Sequence, residues 1–162
     1  MSQQKLVKVG IIGGGLMGRE LLALVGRWDA LLEHPVRPVI TAIADTSDAV
    51  REFFTNAGVT ESYSDYKELL ASANVDVVYI AVPHNLHEEI YIATINAGKD
   101  FLGEKPFGID LAAAEKIAAA LAGKSNFVRV SSELPFYPGA QAAVREVQTG
   151  NLGEIVEVRS GL

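Results

Sequence analysis

Residues 7–12, VKVGII, run without a break into Gly13-Gly14-Gly15-Leu16-Met17-Gly18 and then into a segment of helical composition. A short run that is apolar on both faces reads as a strand buried on both sides, which belongs to a parallel sheet covered by helices. Glycines at such a junction permit a tight turn out of the strand and a close approach of the following helix to the sheet. The chain is thereby committed, within its first twenty residues, to an architecture in which strands hand over to helices.

The remainder keeps that alternation. Strand-length apolar runs are predicted near Leu6–Ile12, Val36–Ala44, Ser62, Val75–Val82, Asp100–Gly103 and Phe127–Ser131. Helical segments are predicted near Leu16–Leu32, Ser47–Asn56, Tyr66–Ala71, Leu86–Ala97, Leu111–Ala122 and Gly139–Thr149. Asp65 and Asp110 are placed to cap helix N-termini, and Gly98, Gly123 and Gly150 to end helices in left-handed conformation. The expectation is an α/β fold, a doubly wound and mostly parallel sheet, in one domain over residues 1–150. After Gly150, Val156 and Val158 alternate with Glu157 and Arg159, so residues 151–162 read as a further strand with one wet face. A strand without an internal partner invites pairing with another chain, which makes self-association through this segment an expectation too.

A net charge of −6 and a pI near 5.0 oppose sequence-independent nucleic-acid binding, which depends on clustered Lys and Arg. With no cysteine, disulfide frameworks and thiolate metal sites are excluded. No run approaches the roughly 18 apolar residues of a membrane span, and the N-terminus lacks a signal-like apolar stretch. A cytoplasmic protein without membrane partners is therefore expected. His84 and His87 precede Glu88 and Glu89, yet a catalytic zinc site needs three converging ligands, so no metal is expected. The five tyrosines read as packing residues, and neither a G-x-S-x-G elbow nor a Walker loop is present.

The glycine segment matches G-x-G-x-x-G in its required context, between strand and helix. Gly13 would allow the tight turn, Gly15 the approach of a pyrophosphate, and Gly18 close helix packing, with Leu16 and Met17 at the helix entry. The helix N-terminus offers unpaired N–H groups and partial positive charge to phosphates. The second strand ends at Asp45, where a carboxylate accepts hydrogen bonds from a ribose diol and repels a 2′-phosphate. Thr46 and Ser47 supply no base to offset it, so NAD is expected over NADP. The competing reading is a structural glycine turn, with Asp45 as a helix cap.

Three further segments complete a pattern: VYIAVPHNLHEE at 78–89, AGKDFLGEKPFGIDL at 97–111, and SELPFYPGAQAAVREVQTGNLGEIVEV at 132–158. Together with the glycine loop they resemble the N-terminal Rossmann domain of the Gfo/Idh/MocA family of oxidoreductases. The resemblance implies hydride exchange between a nicotinamide dinucleotide and a carbinol of sugar or polyol type. By residue, it implies Gly13, Gly15 and Gly18 at the pyrophosphate, Asp45 at the ribose, Pro83, His84 and Glu104 on the cofactor side, and Lys105 with His87 as the catalytic pair. His84 stands where the family usually has Asn. The resemblance also implies a downstream substrate domain, of which residues 151–162 would be the first strand.

Lys105 would exchange a proton with the substrate hydroxyl, a role typically worth about 10²–10⁴-fold. A free lysine, with pKa about 10.4, is a poor base at neutral pH and needs a dry site to become one. Pro106 biases it toward an extended conformation, and Glu104 is expected to point away from it. Without the downstream domain water would reach the lysine, and the alternative function is then a non-catalytic cofactor-binding or scaffold module associating through its last strand.

Overall fold

The computed structural model describes residues 4–31 and 34–159. The chain divides into two compact units, residues 1–131 and 132–162.

The first unit is built on a six-stranded sheet in the order β3-β2-β1-β4-β5-β6. The strands are β1 (Lys5–Ile12), β2 (Val36–Ala44), β3 (Glu61–Tyr63), β4 (Val77–Ile80), β5 (Asp100–Gly103) and β6 (Val128–Val130), and every pairing is parallel. The connecting helices are α1 (Leu16–Gly26), α2 (Asp48–Asn56), α3 (Tyr66–Ala71), α4 (His87–Asn96) and α5 (Leu111–Leu121).

Burial on both faces explains the unbroken apolar runs. On one face Ile11 and Ile43 pack with Phe54 of α2 and with Leu21 and Val25 of α1. On the other, Ile12, Val78 and Ile80 pack with Leu69 of α3, Tyr91 and Ile95 of α4 and Ile117 of α5. Successive strand residues point to opposite sides, so Ile11 and Ile12 each need an apolar layer of their own. Sequence order reverses direction across the sheet between β1 and β4, and at such a point the loops leaving the two strands part and open a crevice at the carboxyl edge.

The predicted caps form. Asp65 accepts from the N–H of Lys67 and Asp110 from that of Ala113, while Gly98, Gly123 and Gly150 have φ of 72°, 72° and 74°. Several elements are shorter than predicted. α1 stops at Gly26 and gives way to a 3-10 turn at Trp28–Ala30, where the Trp28 indole donates to the carbonyl of Val36 at 2.9 Å. The predicted helix end at Leu32 lies outside the described residues. β4 begins only at Val77, because the Asp76 carboxylate accepts the Lys8 N–H that a partner strand's carbonyl would otherwise take. At the sheet edge, β6 is confined to Val128–Val130, flanked by backbone bonds from Phe101 N–H to the Phe127 carbonyl and from Ser131 N–H to the Gly103 carbonyl.

The second unit contains a 3-10 turn at Leu134–Phe136 and α6 (Pro138–Gln148). Residues 151–159 form no strand, contrary to the predicted alternation, and Val156 and Val158 are 91% and 82% exposed. Alternating side chains do not by themselves make a strand, whose N–H and C=O groups need a neighbouring backbone. Residues 160–162 lie outside the described part. Among the described residues no helix is long and apolar enough to cross a membrane.

Candidate functional site

A cleft of about 740 Å³ opens at the carboxyl edge of β1, β2 and β4, with Gly13, Gly15, Asp45, Tyr66 and Pro83 on its walls. Gly13 has φ of 92°, and a Cβ there would meet the Ala81 carbonyl oxygen at 2.5 Å, so only glycine serves. Gly18 is buried, and a Cβ on it would collide with the carbonyl oxygen of Gly13. Gly15 differs: a Cβ there would meet nothing within 4 Å. Two of the three motif glycines are therefore demanded by the turn and the helix contact, while the third faces open space. Leu16 and Met17 follow at the start of α1, 74% and 39% exposed. The cap residue Gly15 offers no side chain, which leaves first-turn N–H groups of α1 available to an anion.

Asp45 bridges the loop and the next helix. Its Oδ2 accepts the Gly14 N–H at 2.9 Å and its Oδ1 accepts the Ser47 N–H, also at 2.9 Å. The helix-cap alternative is thus corrected: Ser47 is the cap of α2, its hydroxyl accepting from Val50, and Asp45 braces the glycine loop from beside it. Each carboxylate oxygen keeps lone-pair capacity for a further donor. The structure also supplies a base that reading Thr46 and Ser47 alone had missed. Arg51, one helical turn beyond Ser47, donates through Nη1 to the carbonyl oxygen of Asp45 at 2.6 Å and pairs through Nη2 with Asp48. Helical spacing from the cap was the signal that could have found it. On the opposite wall, Tyr66 donates to Glu89 at 2.6 Å, and burial together with that carboxylate pushes its hydroxyl up to about 12.

Lys105 follows β5 and is exposed; among the described residues no carboxylate pairs with its ammonium. A cis peptide bond joins it to Pro106. The residues on either side of it are held by buried ring side chains. Tyr91 donates to the Glu104 carbonyl oxygen at 2.6 Å, Tyr79 donates to Glu104 Oε1 at 2.6 Å, and His87 Nδ1 lies 2.7 Å from the Pro106 carbonyl oxygen.

Glu104 and His87 are both turned into the interior. Glu104, 7% exposed, turns its carboxylate inward to Tyr79 rather than toward the cleft, because a buried carboxylate needs a donor and the hydroxyl provides one. His87 has no exposure, stacks on Tyr91 with centroids 4.9 Å apart, and has both ring nitrogens against carbonyls, with Nε2 3.1 Å from Val82 O. It ties the loop after β4 to the loop carrying Lys105. With both nitrogens so occupied it is not available as a metal ligand, and no group of three metal-binding side chains occurs among the described residues. His84 and Pro83 stand exposed at the start of that same loop.

Burial first, and the Glu104 carboxylate second, raise the hydroxyls of Tyr79 and Tyr91 well above the usual value of 10.0. A raised folded-state value means that the folded chain holds its proton where the unfolded chain has lost it, so stability is full below pH 10 and declines above it. Tyrosinate absorbance and circular dichroism recorded together through an alkaline titration should show two tyrosines ionising only as the fold is lost. Tyr79→Phe and Tyr91→Phe should each make that alkaline decline shallower. Ionisation of all tyrosines before any change in dichroism would contradict this.

Residues 7–132 match the model of an oxidoreductase family with an NAD-binding Rossmann fold, named Gfo/Idh/MocA. The chain is 29% identical over 151 residues to trans-1,2-dihydrobenzene-1,2-diol dehydrogenase of Bos taurus, covering 93% of this chain and 44% of that protein. It is 32% identical over 126 residues to D-xylose 1-dehydrogenase (NADP(+)) of Hypocrea jecorina, covering 74% of this chain and 32% of that one. A solved structure of levoglucosan dehydrogenase in complex with NADH superposes with a TM-score of 0.84 at 27% identity, over 93% of this chain and 41% of its own length. The chain thus spans less than half the length of these relatives. A glycine loop braced by Asp45, a lysine loop pinned behind the same sheet edge and the match across residues 7–132 agree: the chain belongs to the Gfo/Idh/MocA family of NAD-binding oxidoreductases.

Proposed function

We propose that this chain is the cofactor-holding part of a dehydrogenase that binds NAD(H) in the cleft and acts on a carbinol of a sugar or polyol. The observation that carries the proposal is Asp45, aimed by two backbone N–H groups and standing at a cleft whose glycine floor is open at Gly15. A carboxylate fixed in this way is preorganised to accept the two hydroxyls of an adenosine ribose, and Gly15 with the α1 N-terminus to receive the pyrophosphate. The nicotinamide, when bound, donates or accepts the hydride. The chain's own part is then to hold the proton that the carbinol oxygen gains or loses, at Lys105 Nζ, on a loop pinned on both sides by Tyr91 and His87. Relatives named for a dihydrobenzenediol, for D-xylose and for levoglucosan support the carbinol class.

Cofactor fluorescence in paired titrations with NADH and NADPH tests this reading. NADH is expected to bind more tightly, and Asp45→Ala to weaken it at least about tenfold, as loss of a charged hydrogen-bond acceptor does. The same variant leaves the Gly14 and Ser47 N–H groups without their acceptor, which should cost about 1–2 kcal/mol in a denaturant titration. No binding of either dinucleotide would overturn the proposal and leave the glycines as a structural turn.

A further inference from the structure

Among the described residues Glu104 is the only buried acidic side chain, and it directly precedes the lysine assigned to proton transfer. A carboxylate one residue from an exposed ammonium and from water has an easy partner there, and burying it instead is costly. The interior nevertheless holds this residue at every polar group. Its N–H donates to the Ile80 carbonyl at 2.9 Å, its carbonyl accepts from Tyr91, and its carboxylate accepts from Tyr79. Tyr91 lies in the apolar layer on one face of the sheet and Tyr79 in the layer on the other, beside α1. Burial first, and then Glu104 itself, raise the Tyr79 hydroxyl above its ordinary value, so it remains a donor through the neutral range.

We propose that Tyr79 is a positioning residue, a latch that holds the Glu104 carboxylate on the α1 face of the sheet and so keeps it from pairing with the ammonium of Lys105. The proposal rests on the reading that Lys105 exchanges the carbinol proton. A carboxylate beside an ammonium stabilises the charged form, and a lysine held as ammonium cannot take a proton from a hydroxyl. Stripped of its donor, the Glu104 carboxylate would be drawn out of the interior toward water and Lys105. The other titratable or charged groups around it are Glu20 of α1, whose charge reaches Tyr79, Arg129 of β6, which stands opposite Leu102, and Tyr91 of α4.

Acylation of this chain by acetic anhydride, read at Lys105 by peptide mass spectrometry across a pH series, tests the latch, because only the neutral amine reacts. In Tyr79→Phe the Lys105 curve is expected to move up by about one pH unit, which is about tenfold slower labelling at neutral pH, while the other exposed lysines keep theirs. Adding Glu104→Gln to Tyr79→Phe should bring the curve back, a rescue that a purely structural defect would not show. Tyr91→Phe loosens the same residue but leaves the carboxylate bonded, so it should not move the curve. Glu104→Gln alone keeps an acceptor for Tyr79 and should not move it either, which decides the matter even if Tyr79→Phe does not fold; circular dichroism reports the fold of each variant. A curve unmoved in folded Tyr79→Phe would overturn the latch. So would a curve lowered by Glu104→Gln alone, since the carboxylate would then already face Lys105. Carbinol turnover by Lys105→Ala at the unaltered rate would instead sink the proton-transfer reading, whatever the acylation shows.

Discussion

Adding one methyl group at Gly103 is expected to lower the stability of the chain by about 3 kcal/mol, more than its size suggests. Gly103 is the last residue of β5, and a Cβ built on it would overlap the hydroxyl and Cζ of Tyr91 and come within 2.9 Å of Cε1. The ring has little room to retreat. It is fully buried, stacked on His87, and in tilted contact with Phe101 at 4.9 Å. If it moved, the Glu104 carbonyl would lose its hydrogen bond in the interior. If the strand moved instead, the pairing of Ile80 with Gly103 and the bond from Glu104 N–H to Ile80 O at 2.9 Å would suffer. Overpacking typically costs about 1–3 kcal/mol and a buried carbonyl left unpaired about 1–3 kcal/mol, of which the chain needs to bear only part of each. For a chain of this size the melting temperature of Gly103→Ala should fall by about 6–12 °C. Tyr91→Leu will be destabilising by itself, but combined with Gly103→Ala it should cost less than the two changes summed, since the smaller side chain removes the overlap. A melting temperature unchanged by Gly103→Ala would mean that Tyr91 does not press on this strand.

The residues just discussed also mark where sequence reasoning stops. Val9 to Ile12 announce a strand covered on both faces because local periodicity is all that such a prediction needs, and Gly13, Gly18 and Asp110 announce a turn, a close contact and a cap for equally local reasons. What Asp45 does with its carboxylate was half legible. Its place at the end of β2 follows from the run that precedes it, but its bond to Gly14 joins residues far apart in sequence that only the pairing of β1 with β2 brings together. His87 shows the same limit. A histidine beside a loop reads as a functional group, whereas its burial is decided by Tyr91 on its own helix and by Pro106 from another loop. Residues 151–159 carry a sound alternating pattern, but a strand also requires a second backbone to pair with. Arg51 escapes such a reading because its bond to the Asp45 carbonyl runs through a turn of helix and not through neighbouring residues.

Lys105→Ala should have the opposite profile to Gly103→Ala, with a small effect on the fold and a large one on chemistry. The side chain is exposed and makes no ion pair among the described residues, so its removal should shift the melting temperature by no more than about 2 °C and NADH affinity by less than about twofold. In any form of this protein that oxidises or reduces a carbinol, turnover should nonetheless drop at least about 10²-fold, the lower end of what a positioned acid or base contributes. If Lys105 acts only as the proton moves, kcat and kcat/KM fall together, whereas a lysine that merely gripped the substrate would raise KM and spare kcat. Lys105→Arg separates proton transfer from plain charge. Arginine keeps the cation but does not give up its proton near neutral pH, so it should fail to restore turnover if Lys105 exchanges a proton and should restore much of it if charge alone matters. The same logic reaches the residues behind it. Tyr91→Phe removes the hydrogen bond to Glu104 O while leaving Lys105 in the sequence, so it should cost turnover to a smaller degree, by letting the loop drift, and should leave the shape of the pH profile unaltered. Turnover by Lys105→Ala equal to that of the unaltered protein would take the proton-transfer role away from this residue and leave the ring clamp around it with a structural purpose only.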